Sequence, residues 1–90
     1  MASGDLLTHR NRDGDLTVQA LKAGLIETVA IERKAGVSIT RLEYNEAADP
    51  TRPFVVQRTL VHSSTATNVY RNKFSDIRRA RIAFRKQAQK

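Results

Sequence analysis

No cysteine occurs among the 90 residues of this chain. Disulfides, thiolate metal sites and cysteine nucleophiles are therefore excluded, which fits a reducing cell interior or a virion. Long apolar runs are missing as well: stretches such as Val29-Ala30-Ile31 and Phe54-Val55-Val56 stop after three residues. Runs that short leave no room for a signal-peptide core or a transmembrane helix, so neither a secreted nor a membrane-spanning protein is expected. The constellations that carry reactions are also absent, whether a phosphate-cradling glycine loop, a zinc spacing or paired catalytic carboxylates. His62-Ser63-Ser64 sets a base beside hydroxyls, but adjacency in sequence is not the geometry that activates a serine, and a strand running into a polar turn accounts for it. Asn11-Arg12-Asp13-Gly14-Asp15 places oxygen side chains on alternate positions, like half a calcium loop. The glycine falls one residue early for that loop and the later glutamate is lacking, so Asp13-Gly14 reads as a turn. No enzymatic activity, metal or cofactor is expected, and no small-molecule substrate.

A chain of 90 residues is at most one domain. At this size only about 60–65% of the unfolded surface is buried, so the core is thin and self-association is one remedy. The net charge is +7, and it is unevenly placed: residues 71–90 carry eight basic side chains and one acid, Asp76, while residues 1–70 carry eight of each sign. The chain divides into a neutral body, 1–70, and a basic C-terminal helix or arm, 71–90. A balanced body with a concentrated cationic end is suited to an anionic partner.

The body repeats short phrases. Thr17-Val18-Gln19-Ala20-Leu21 and Thr28-Val29-Ala30-Ile31-Glu32-Arg33 both run into Lys-Ala-Gly, at 22–24 and 34–36. Lys-Ala-Gly suits a three-residue hairpin loop whose last residue needs positive φ. A mainly β fold follows: a small antiparallel meander of about five strands, near 5–9, 15–21, 25–33, 37–44 and 53–62, plus one basic amphipathic helix. The proline-containing segment Asn45–Pro53 forms a longer connection, and Ser63–Thr67 a polar break. A helix competes for residues 16–34, because Val18, Leu21, Leu25 and Val29 share one helical face. Against it stand Gly24 and a run of β-branched residues. With Lys34-Ala35-Gly36 as the loop, Arg33 faces Val37, Ile31 faces Ile39, Val29 faces Arg41 and Glu27 faces Glu43. Val29, Ile31, Val37 and Ile39 would then form one apolar patch, and the facing glutamates argue for a bulge or a shifted register.

At the C-terminus Ser75 can cap a helix whose first turn contains Asp76. Ile77, Ala80, Phe84 and Ala88 align on its apolar face, and Arg78, Arg79, Arg85 and Lys86 on the other; Ile82 falls among the arginines. Cations of one sign at spacings of three and four repel unless an anion compensates them. Arginine is the planar donor suited to phosphate. Candidate phosphate contacts are Arg78, Arg79, Arg81, Arg85 and Lys86, with Arg71 and Lys73 outlying. Tyr70 and Phe74 flank the run and could stack on bases; Phe74 reads better as a core seal before a capped helix. The helix lacks the Trp/Phe/Leu face that would enter a membrane. The expectation is a non-enzymatic, self-assembling structural protein, cytoplasmic or in a virion, bound to RNA or DNA in the manner of a coat, packaging or ribosomal protein. The alternative is an assembly or scaffold subunit whose basic face meets an acidic protein surface.

Overall fold

The computed structural model describes residues 14–90. The element order is α1 (Val18–Lys22), β1 (Glu27–Arg33), β2 (Gly36–Tyr44), β3 (Phe54–His62), β4 (Thr65–Phe74) and α2 (Ile77–Ala88). The four strands form one antiparallel sheet in sequence order, β1-β2-β3-β4. The mainly β meander with a C-terminal helix is therefore the architecture, with four strands among the described residues. The strand expected at 5–9 lies outside them.

The strand expected at 15–21 is instead the short helix α1. Thr17 caps it by accepting a hydrogen bond from the Ala20 N–H through its hydroxyl. It ends at Gly24, whose φ is +100°. There the Leu25 N–H donates to the Ala20 carbonyl and the Gly24 N–H to the Leu21 carbonyl. This is the Schellman closure that a glycine in left-handed conformation permits. Gly24 thus stops a helix after one turn rather than weakening a long one, and both readings of 16–34 are partly right: helix before the glycine, strand after it.

The β1–β2 register differs by one residue from the expected pairing. The turn is Lys34-Ala35, with Arg33 paired to Gly36, Ile31 to Ser38, Ala30 to Ile39, Thr28 to Arg41 and Glu27 to Leu42. Gly36 belongs to the strand: its φ is +132°, and a Cβ placed on it would lie 2.1 Å from the Val61 carbonyl oxygen. A one-residue slip moves every side chain to the other face. Val29 and Ile31 consequently point toward the helix layer, Val37 and Ile39 away from it, and the single four-residue patch does not form. The slip also removes the glutamate–glutamate pair.

Residues read as a polar break and the start of the basic arm form β4, so the expected boundary at residue 71 falls inside a strand. Thr65, Thr67, Val69 and Tyr70 are residues at home on a pleated surface. A register shift between Arg58 and Thr59 leaves Val69 as the extra residue opposite them. Ser63 takes φ 54° in the turn before β4.

α1 and α2 lie on one face of the sheet. The core joins Leu16, Ala20 and Leu21 to Leu42, Phe54 and Val56 of the sheet and Ala80 and Phe84 of α2. Tyr44 and Phe54 meet edge to face with centroids 5.3 Å apart, and the Lys22 ammonium lies 5.5 Å above the Tyr44 ring. Val18, Leu25, Val29, Tyr70, Phe74, Ile77 and Ala83 pack around this core. Neither helix lies over the opposite sheet face, where Val55 is nonetheless buried. No described helix is long and apolar enough to cross a membrane.

Candidate nucleic-acid interface

The residues proposed from sequence to meet a polyanion do not form one surface. They fall into three groups, set by the turn of α2 and the pleat of β4.

The first group is the outer stripe of α2. Asp76, not Ser75, is the N-cap: its carboxylate accepts from the Arg78 N–H at 3.0 Å. That hydrogen bond is the main cause holding the Asp76 carboxyl below the ordinary value of 3.8, with the Arg78 and Arg79 charges helping. Ala80, Phe84 and Gln87 are buried on the inner side. Arg78, Arg79, Ile82, Arg85 and Lys86 are exposed, and Ile82 keeps 56% of its surface. From Arg78 to Lys86 the stripe runs about 12 Å at 1.5 Å per residue. The Arg78 guanidinium is 88% exposed and lies 3.5 Å from Asp76, a contact too open to neutralise it. Ile82, which fits neither face of an ideal amphipathic pattern, sits among these cations as their one apolar member.

The second group points inward. The Arg81 side chain is only 13% exposed. Its guanidinium donates to Glu27 Oε1 at 2.9 Å and to the Leu16 carbonyl. Its Nε lies 3.5 Å from Asp15 Oδ2, near enough for ion pairing, yet makes no hydrogen bond. Glu27 Oε1 also accepts from the Leu16 N–H at 2.9 Å. Arg85 reaches Asp15 Oδ2 at 2.7 Å from a more exposed position. These contacts fasten the segment before α1, the start of β1 and the middle of α2 to one another. With the open Arg78–Asp76 contact, three arginines of the basic run meet carboxylates of their own chain, and the charge directed outward is smaller than the sequence count implies.

The third group lies on the face of the sheet opposite the helices. Phe74 pairs with Phe54 on the helix side, so Lys73, paired with Val55, and Arg71, paired with Gln57, project to the opposite side. Arg41, paired with Gln57 from the other direction, shares that side. Arg41, Gln57 and Arg71 thus form one row across β2, β3 and β4. Next to it Gln57 donates to the Thr59 hydroxyl at 3.4 Å, and Thr59 donates to Asn68 Oδ1 at 2.9 Å. Arg41 pairs with Glu43 at 2.6 Å. Toward the hairpin tips the same face is apolar, with Val37, Ile39 and Val61. Arg41 was not singled out from the sequence, because only the pairing of a strand unseen there places it in line with Arg71.

Tyr70 pairs with Arg58 on the helix side and packs against the core, as does Phe74. Neither ring lies on the sheet face opposite the helices. Arg58 itself is tied to Gln87 Oε1 at 3.0 Å and to Ser38 Oγ at 3.5 Å.

The chain matches no protein-family model, no curated protein and no solved structure. Among the described residues no three metal-capable side chains cluster. A cleft of about 190 Å³ is lined by Leu21, Gly24, Leu25, Ile26, Glu43, Tyr44 and Asn45. Tyr44 of that lining has its phenol pushed above the usual value by desolvation and by the hydrogen bond it donates to Glu46. His62 is exposed at the β3–β4 turn, with the Thr65 hydroxyl bonded to its carbonyl.

Proposed function

We propose that this protein is a non-enzymatic structural protein that associates with RNA or DNA, assembles through its β body, and holds phosphates with cations of its C-terminal segment, in the cytoplasm or in a virion. The observation that carries the proposal is the outer stripe of α2, where Arg78, Arg79 and Lys86 are exposed on a helix with no acidic residue after its cap. Like charges exposed on one helix face repel one another, and a phosphate chain relieves that repulsion. Arg81 and Arg85 contribute differently from the other cations: Arg81 is a structural ion-pair partner, and Arg85 is shared between Asp15 and solvent. The stripe carries no base-reading arrangement, so the contact is to backbone phosphates, which position without specifying sequence.

The test is a salt titration of binding to single-stranded polyuridylate by fluorescence anisotropy. Three phosphate contacts add about 2 to the magnitude of the slope of log K against log salt. Substituting Arg78, Arg79 and Lys86 together by Gln should remove that increment while leaving the circular dichroism spectrum unchanged. A wild-type chain that does not bind at low salt, and purifies as a clean multimer without nucleic acid, would instead support a scaffold subunit whose basic face meets an acidic protein.

A further inference from the structure

The basic residues that look contiguous in sequence end on opposite sides of the molecule. The break lies at Phe74–Asp76, where the chain leaves β4 and turns into α2. Before it, alternation along β4 sends Arg71 and Lys73 to the sheet face opposite the helices, where Arg41 joins them across β3. After it, α2 lies over the other face and turns Arg78, Arg79 and Lys86 outward. Between the two groups stand the sheet, the core of Leu42, Val56, Ala80 and Phe84, and the helix itself. The shortest dimension of the molecule is 22 Å.

We propose that the sheet face opposite the two helices is a second phosphate-binding surface, so that one subunit bridges two nucleic-acid segments. This rests on the reading of the α2 stripe as a phosphate contact and extends it from binding to cross-linking. The occupant of the sheet face is argued from its charge and chemistry. Arg41, Arg71 and Lys73 outnumber the two described acids of that face, Glu43, which pairs with Arg41, and Glu32, opposite Val37 at the far end, and the three cations lie beside neutral hydrogen-bonding groups on Gln57, Thr59 and Asn68. All four of Tyr44, Phe54, Tyr70 and Phe74 are committed to the helix side. The sheet face therefore offers charge and hydrogen bonds to a phosphate–sugar backbone and no platform for stacked bases. A phosphate chain that occupies one surface reaches the other only by wrapping round the edge of the sheet. A second segment meets no such obstacle.

Two measurements on the full-length chain test this. In the first, the wild-type protein is titrated with an oligouridylate of about four nucleotides, the small end of single-strand site sizes. Two oligonucleotides per chain are expected, and one per chain would overturn the inference while leaving the α2 reading in place. In the second, polyuridylate fixed on beads captures labelled polyuridylate from solution through the protein. Arg41→Gln/Arg71→Gln/Lys73→Gln is expected to stay on the beads and to lose second-strand capture at least about tenfold, the loss of binding expected when several phosphate contacts are removed. Capture at the wild-type level by this variant would assign bridging to subunit association and would overturn the inference. Absence of any binding by the wild-type chain would instead remove the underlying reading. The oligonucleotide stoichiometry needs no variant, so it decides the matter even if the triple substitution misfolds.

Discussion

Replacing Arg81 by Met separates structural charge from functional charge in this protein. Methionine keeps much of the apolar stem and removes the guanidinium. What remains is the Glu27 carboxylate, 8% exposed, with the Leu16 N–H as its hydrogen-bond donor, and a Leu16 carbonyl that has lost the Arg81 donor. Breaking a buried pair from one side costs about 3–5 kcal/mol, because a charge is left without compensation. Arg81 retains 13% of its exposure, so water can partly reach the site, and the lower end, about 3 kcal/mol, is the better figure. For a domain whose total stability is roughly 5–15 kcal/mol this is a large fraction. At about 4–8 °C per kcal/mol it lowers Tm by roughly 12–24 °C. The assay is urea denaturation followed by far-ultraviolet circular dichroism, with Glu27→Gln/Arg81→Met alongside. The glutamine still accepts from Leu16 but carries no charge, so the double variant should recover about 1–2 kcal/mol relative to Arg81→Met, a coupling typical of directly paired residues. A loss below about 1 kcal/mol for the single variant, or no recovery in the double, would refute the account of Arg81 as a buried clamp. Measured where the variant is still folded, its salt slope for polyuridylate should match the wild type, because the side chain faces inward.

Thr40 is 1% exposed and its hydroxyl has no hydrogen-bond partner; Thr40→Val should stabilise the fold by about 1 kcal/mol in the same denaturation assay, since the methyl replaces an unsatisfied polar group. Gly36→Ala should cost about 3 kcal/mol or more, because the new Cβ meets the Val61 carbonyl at a backbone already in a left-handed region, whereas Gly24→Ala, with open space around it, should cost only about 1–2 kcal/mol. Acid should weaken the fold in a defined window. The Thr51 hydroxyl, with the Thr51 N–H and Arg52, holds the Asp49 carboxyl down to about 2 from 3.8, and the Arg78 N–H lowers Asp76. A carboxylate depressed in the folded state contributes stability above its unfolded value, and that contribution is lost as pH falls through the folded value. Stability should therefore decline between about pH 4 and pH 2, and Asp76→Asn, which keeps a cap acceptor, should reduce that decline in an acid titration followed by circular dichroism.

Much of the fold was legible in the pattern. The strand β3 follows Pro53 as a run of Phe54, Val55 and Val56, and α2 shows its inner face as Ile77, Ala80 and Phe84. The β1–β2 hairpin was recognisable from Lys34-Ala35-Gly36, but its register was not. A two-residue turn with Gly36 inside the strand and a three-residue loop ending on Gly36 use the same residues. The facing glutamates implied by the longer loop were the signal that the shorter one wins. Strand β4 was hidden because Thr65, Thr67 and Asn68 are polar and most of the strand is exposed. An edge strand with one face away from the helix layer has little apolar alternation to display.

The sequence by itself determined how much charge there is and that it gathers after residue 70, because composition needs no fold. Only the tertiary structure decided where that charge points. A strand alternates its side chains every residue and a helix turns them through 3.6, so passing from β4 to α2 divides one basic run between two sides of the molecule. Packing then brought Asp15 and Glu27, distant in sequence, against Arg81 and Arg85, and withdrew part of the charge from solution.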